Sequence, residues 1–235
     1  MNLPKLETPK YGLDIPSTGQ TIEYRPFLVK EEKILLIAQQ TNKSKAMFKA
    51  MLDVIDSCTF GELKMRDLTN FDVEYIFLKL RQKSVGEVAS LSIKCKECEA
   101  SNPIEVNLEE VKIDLSGDKE KKVMLTDSVG VLLKYISALS VEKLAALEKD
   151  QDKLLTETVI QSIEHIFDEN GIYPTKEANR SELEEFINSL NREQISKIED
   201  FISNAPKLKH SLKFDCVKCE LPNEVILEGA QTFFV

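Results

Sequence analysis

The chain has 235 residues, with 31 Lys and Arg against 40 Asp and Glu and a net charge of −9. That length suits one sizeable domain or two small ones. The acidic balance argues against a general nucleic-acid binder, because affinity for phosphate needs a basic surface.

The opening MNLPKLETPK lacks the apolar core of a signal peptide. The run Ile34-Leu35-Leu36-Ile37-Ala38 is far too short to span a bilayer. Five cysteines without a secretory signal point to a reducing compartment, with the cytoplasm as default.

Residues 1–29 read as an extended N-terminal arm rich in Pro, Thr and Gly. Two strand-like runs, Tyr11–Ile15 and Thr21–Arg25, flank the turn signal Ile15-Pro16-Ser17-Thr18-Gly19-Gln20. From residue 30 to 85 the chain reads as helical. Ile34, Leu35, Ile37 and Ala38, then Met47, Met51, Val54 and Ile55, recur at helical spacing. Thr41-Asn42-Lys43-Ser44 breaks this stretch in two. Asp67 or Thr69 caps a further helix through Phe71, Tyr75, Leu78 and Leu80. Cys58 reads as a small core residue.

Residues 86–106 and 207–230 form a degenerate internal repeat. The first copy runs Ser90-Leu91-x-Ile93-x-Cys95-x-x-Cys98-Glu99-x-x-Asn102-x-Ile104-x-Val106. The second runs Ser211-Leu212-x-Phe214-x-Cys216-x-x-Cys219-Glu220-x-x-Asn223-x-Val225-x-Leu227. Apolar residues alternate on either side of each Cys-x-x-Cys, which is the strand signature. Each copy therefore reads as strand, turn, strand, with two thiols at the turn. A tetrahedral zinc needs four thiolates, so the two hairpins are expected to pack together as a zinc ribbon with Cys95, Cys98, Cys216 and Cys219 as ligands. Such a site has no open coordination position and acts as a structural staple. Compact ribbons place their pairs about 15–20 residues apart; here a long insertion intervenes. Two other readings compete. Cysteines without metal remain open. A redox role is disfavoured, because it needs a thiolate at a helix start within a βαβ setting.

The insertion, residues 107–206, reads as a charged surface turn around Gly117, a short strand at Val123-Met124-Leu125, and then helices. Thr126 or Asp127 is expected to start one helix, with Val131, Leu132, Tyr135 and Ile136 on its face. Ser140-x-x-Lys143 starts a short one. Leu154–Phe167 reads as an amphipathic helix with its C-cap at Asn170-Gly171. Ser181-x-x-Glu184 and Asn191-x-x-Gln194 read as capping boxes for two more, and Pro206 stops the last. The fold class expected is α+β, mostly helical, with a small antiparallel pair of zinc-ribbon-like hairpins. The apolar end Thr232-Phe233-Phe234-Val235 suits packing on its own domain or docking to a partner.

Catalytic patterns are missing. Neither common glycine-rich phosphate cradle occurs, nor do the zinc-protease and serine-hydrolase motifs. His165 and His210 have no nucleophile at a motif spacing and read as satisfied or surface residues.

Pro9–Gly19 followed by Tyr24-Arg25-Pro26-Phe27-Leu28-Val29-Lys30-Glu31-Glu32-Lys33-Ile34-Leu35 resembles the opening of the T-even-type myophage baseplate proteins, a family that includes a baseplate hub subunit and a hub assembly catalyst. The later Cys-x-x-Cys knuckles share in the resemblance. It implies virion assembly by protein–protein contact rather than enzymatic chemistry, with other hub proteins and the tape-measure protein as partners. It also implies that Arg25, Pro26 and Phe27 belong to a shared structural or docking segment; Phe233 and Phe234 are the other candidate contacts. The expected location is the host cytoplasm during assembly and the tail baseplate afterwards. A zinc-ribbon nucleic-acid or transcription adaptor is the alternative.

Overall fold

The computed structural model describes residues 6–41, 44–115, 121–147 and 149–229. The chain divides into two units. The first comprises Met1–Asp114 with Lys207–Val235, and the second Leu115–Pro206.

In the first unit, β1 (Tyr11–Asp14) and β2 (Thr21–Tyr24) form an antiparallel hairpin with Tyr11 opposite Tyr24. Alternation puts Leu13, Ile15, Ile22 and Tyr24 inside. Gly19 closes the turn at φ +69°, a conformation that favours glycine. Three helices follow: α1 (Val29–Gln40), α2 (Ser44–Cys58) and α3 (Asn70–Ser84). Thr69 caps α3 reciprocally with Asp72. Asp72 also accepts from Ser17 N at 2.9 Å and Ser17 Oγ at 2.6 Å, so one buried carboxylate ties the first hairpin's turn to the helix. Phe71, Val73, Ile76, Phe77, Leu78 and Leu80 bury most of α3's circumference, which makes it the centre of this unit.

After α3 the chain forms β3 (Val88–Lys94) and β4 (Ser101–Asn107), an antiparallel pair, then β5 (Lys112–Asp114). It leaves for the second unit and returns as β10 (Lys207–Asp215) and β11 (Pro222–Glu228). β10 pairs with β11 on one side and β5 on the other. The two strands that bracket the excursion are thus hydrogen-bonded neighbours, with Lys207 opposite Asp114.

The second unit holds a four-stranded antiparallel sheet, ordered β6 (Lys122–Met124), β7 (Gly130–Leu133), β8 (Ile163–Phe167) and β9 (Ile172–Pro174). Its helices are α4 (Ala138–Ala145), α5 (Gln151–Ser162), α6 (Arg180–Asn188) and α7 (Arg192–Ser203). Leu125, Val131, Leu133, Val159, Ile163, Ile198 and Phe201 make the core between them.

This corrects the expected fold class. Among the described residues helices supply 39% and strands 27%, the latter in four small antiparallel sheets, a near-equal mixture rather than a mostly helical fold. The reasons are local. Gly130-Val131-Leu132-Leu133 is a short apolar run that fits a central strand as well as a helix. Gly130 sits where a Cβ would collide with the Phe167 ring and the Met124 sulfur. The expected helix through Phe167 stops at Ser162. Ile163 and Ile166 instead lie on β8, and Asp168-Glu169-Asn170-Gly171 is a hairpin turn. Asp168 organises that turn by accepting from the backbone N–H groups of Asn170 and Gly171. The cap of α6 is Asn179 with Glu182, two residues before the expected box; Asn191 with Gln194 caps α7 as the spacing predicts.

Among the described residues no helix is long and apolar enough to cross a membrane.

Candidate metal centre

Each Cys-x-x-Cys folds as a tight knuckle between two strands. Cys95 N donates to Ala100 O at 2.9 Å and Glu99 N to Cys95 O at 3.1 Å. In the second copy Cys216 N donates to Leu221 O at 3.0 Å and Glu220 N to Cys216 O at 2.9 Å. Glu99 and Glu220 take matching left-handed conformations, φ 56° and 57°. The repeat seen in sequence is therefore a repeat of geometry, down to the backbone strain.

The knuckles face each other. Cys95 Sγ lies 3.7 Å from Cys219 Sγ, and Cys98 Sγ lies 3.6 Å from Cys216 Sγ. All four sulfurs fall within 4.8 Å of one another. With a zinc–sulfur distance near 2.3 Å, a regular tetrahedron has an edge of about 3.8 Å. The two cross-hairpin separations match that edge, the rest lie within 4.8 Å, and both cross-hairpin distances exceed the roughly 2.05 Å of a disulfide. The chemistry of the donor set fits as well: four soft sulfurs in a partly buried cluster suit zinc or a similarly thiophilic ion. The four cysteines can hold a metal ion.

Backbone amides tune the sulfurs. The N–H groups of Cys98 and Glu97 lower the Cys95 thiol to about 6. The N–H groups of Cys219 and Lys218 likewise lower Cys216. At Cys219 the Leu221 N–H acts downward, but burial and the adjacent sulfurs push the thiol up to about 12. Without a cation the cluster resists carrying four negative charges; a divalent ion removes that penalty.

Two asparagines complete the arrangement. Asn102 Oδ1 accepts from Val217 N at 2.8 Å, and Asn223 Oδ1 accepts from Lys96 N at 3.1 Å. Both asparagines stand in the sequence repeat, but nothing in their spacing assigns them a role. The available signal was an amide at the same strand position in both copies, where asparagine is disfavoured.

The other sequence candidates lie apart from this cluster. Arg25 is 8% exposed and works within the first unit. Its guanidinium donates to Glu31 Oε1, Ser57 Oγ and the carbonyls of Pro26 and Ser57. Pro26 and Phe27 are half-buried, and Phe27 N donates to Ser84 Oγ at 2.8 Å. Phe233 and Phe234 lie outside the described residues. Cys58 is fully buried, and burial pushes its thiol up to about 11, as befits a core residue. His165 lies on β8 and His210 on β10, outside the sulfur cluster.

A family model described as T4 bacteriophage base plate protein matches residues 8–235. The chain belongs to this family. The match covers both cysteine hairpins, the excursion between them and the N-terminal arm from residue 8 in one stretch. No curated protein and no solved structure matches the chain. Membership gives this baseplate protein a structural role in the phage tail baseplate, among other baseplate proteins.

Proposed function

We propose that this baseplate protein is a hub component or hub assembly factor that acts by protein–protein contact without catalysis, and that its four cysteines hold one structural zinc. The sulfur cluster carries the zinc reading, because two of its separations fall at a tetrahedral edge, all four sulfurs lie within 4.8 Å of one another, and all four positions belong to the protein. A bound zinc would supply folding free energy rather than chemistry. Cys95 and Cys98 fix one hairpin, Cys216 and Cys219 the other, so the ends of the excursion are held in one domain.

The family match carries the baseplate reading. Hub proteins and the tape-measure protein are the partners we assign. Pro26, Phe27 and the apolar end Phe233-Phe234 are the contacts we assign to them. Arg25 has an internal role instead. Assembly would take place in the host cytoplasm before incorporation into the tail.

The test is genetic. Deleting the gene should arrest tail assembly before a complete baseplate forms, and the protein should co-purify with hub proteins from infected cells. Normal tails without it would refute the hub role. A salt-dependent gel shift at physiological ionic strength would favour the nucleic-acid adaptor instead, since phosphate contacts release counterions.

A further inference from the structure

We infer that Asn102 and Asn223 are positioning residues that pre-form the four-sulfur site by clasping each hairpin to the opposite knuckle; as an account of metal affinity this rests on the zinc reading above. The two hairpins belong to different sheets, β3 with β4 and β10 with β11 and β5. No backbone ladder joins them among the described residues. Something else must set how one knuckle faces the other.

The asparagines have the reach and the chemistry. Asn102 is anchored in its own hairpin by its amide NH2, and Asn223 splits its NH2 between its own hairpin and a sulfur of the other. Asn102 Nδ2 donates to Ile93 O at 3.1 Å and Ala100 O at 2.8 Å. Asn223 Nδ2 donates to Leu221 O at 2.9 Å and to Cys95 Sγ at 3.5 Å. Each then crosses with its oxygen to the residue just after the first cysteine of the other pair, Val217 or Lys96. Because the partner across the gap is a backbone N–H, the crossing atom has to be the amide oxygen, which fixes the orientation of both side chains. Asn102 is 0% exposed and Asn223 5%. A buried amide in a strand is costly unless satisfied, and here each oxygen is satisfied by the matching N–H of the opposite knuckle.

The consequence is a site held at metal-binding spacing by the protein itself. Removing either clasp leaves the facing amide unpaired and lets the knuckles drift. Partners outside the ligand shell typically change metal affinity by about 10- to 100-fold. Asn102→Ala and Asn223→Ala should each weaken zinc by that factor, measured on the full chain by transfer to a chromogenic chelator. Far-UV circular dichroism followed alongside separates clasp loss from unfolding: release should quicken while the fold persists. Val217→Pro removes one clasp from its exposed end, by deleting the donor, and should reproduce the effect of Asn102→Ala.

A second readout needs no metal. A diazenedicarboxamide oxidant takes two electrons and two protons from each pair of thiols, forming one S–S bond while its N=N bond is reduced to a hydrazine. In metal-free wild type, peptide mapping should find Cys95–Cys219 and Cys98–Cys216, whose sulfurs face each other at 3.7 and 3.6 Å. In the double asparagine variant the links should shift to Cys95–Cys98 and Cys216–Cys219. Unchanged zinc affinity with an unchanged disulfide pattern would overturn the clasp. Where that result comes with zinc bound tightly by wild type and variants alike, the clasp falls and the zinc reading stands. A wild type that takes no zinc but shows the asparagine-dependent pattern would refute the zinc reading and uphold the clasp.

Discussion

Arg25 and Glu31 form a buried ion pair, Nη2 to Oε1 at 2.8 Å, with Glu31 only 2% exposed. Burial alone would raise the Glu31 carboxyl, but hydrogen bonds from Arg25, Leu28 N, Ser57 and Lys30 outweigh it and hold the group at about 2. The pair locks the chain after β2 onto α2 and the start of α1. Arg25→Met leaves a buried carboxylate without its main partner and should cost about 3–5 kcal/mol, read from urea denaturation at pH 7.

The same pair sets an acid limit. A carboxyl lowered on folding contributes stability that is full above its unfolded value, near 4.5, and is lost as pH falls toward about 2. Wild type should therefore lose stability across that window more steeply than Arg25→Met. Parallel pH profiles for the two proteins would refute the assignment.

Asp72 should be the fastener of the N-terminal hairpin. It accepts from Ser17 and from Thr69, and charge-assisted bonds of this kind contribute about 1.5–3 kcal/mol each when broken. Asp72→Ala removes all four and should lower global stability by at least one such contribution. Amide hydrogen exchange should also accelerate at Ile15 and Gly19, whose N–H groups close the turn.

Gly130 is crowded. Alanine there would push against Phe167 and Met124 in the second unit's sheet. Gly130→Ala should cost about 1–3 kcal/mol through overpacking, measured by thermal unfolding. Gly12 and Gly171 meet nothing within 4 Å at the same position and have no positive φ, so alanine at either should be nearly neutral.

Glu99 and Glu220 carry the opposite lesson. Each holds a left-handed conformation that costs a side-chain-bearing residue about 1–2 kcal/mol. Glu99→Gly and Glu220→Gly should stabilise the chain by up to about 1 kcal/mol each, with the second effect equal to the first if the knuckles are geometric copies.

Legibility in the sequence followed the kind of signal. The repeat showed both hairpins because alternation, cysteines and flanks all agreed. Thr69 and Asn191 were legible as caps because a cap is a local exchange of hydrogen bonds. The second unit's sheet was not legible. Val131-Leu132-Leu133 and Ile163–Phe167 are apolar enough to satisfy helical or strand spacing, and only their mutual pairing, Val131 opposite Ile166, decides between them. Asn170-Gly171 misleads as a helix end, because the same dipeptide signals the hairpin that it forms here. The asparagine clasps were visible as letters, but their partners lie more than a hundred residues away.

The most direct measurement is the metal content of the purified full chain, with free thiols counted on the same sample. The account predicts one zinc per chain and four thiols shielded until a chelator is added, with Cys95→Ser or Cys219→Ser losing both the metal and the stability. A folded wild type with no metal and four freely reacting thiols at Cys95, Cys98, Cys216 and Cys219 would contradict it.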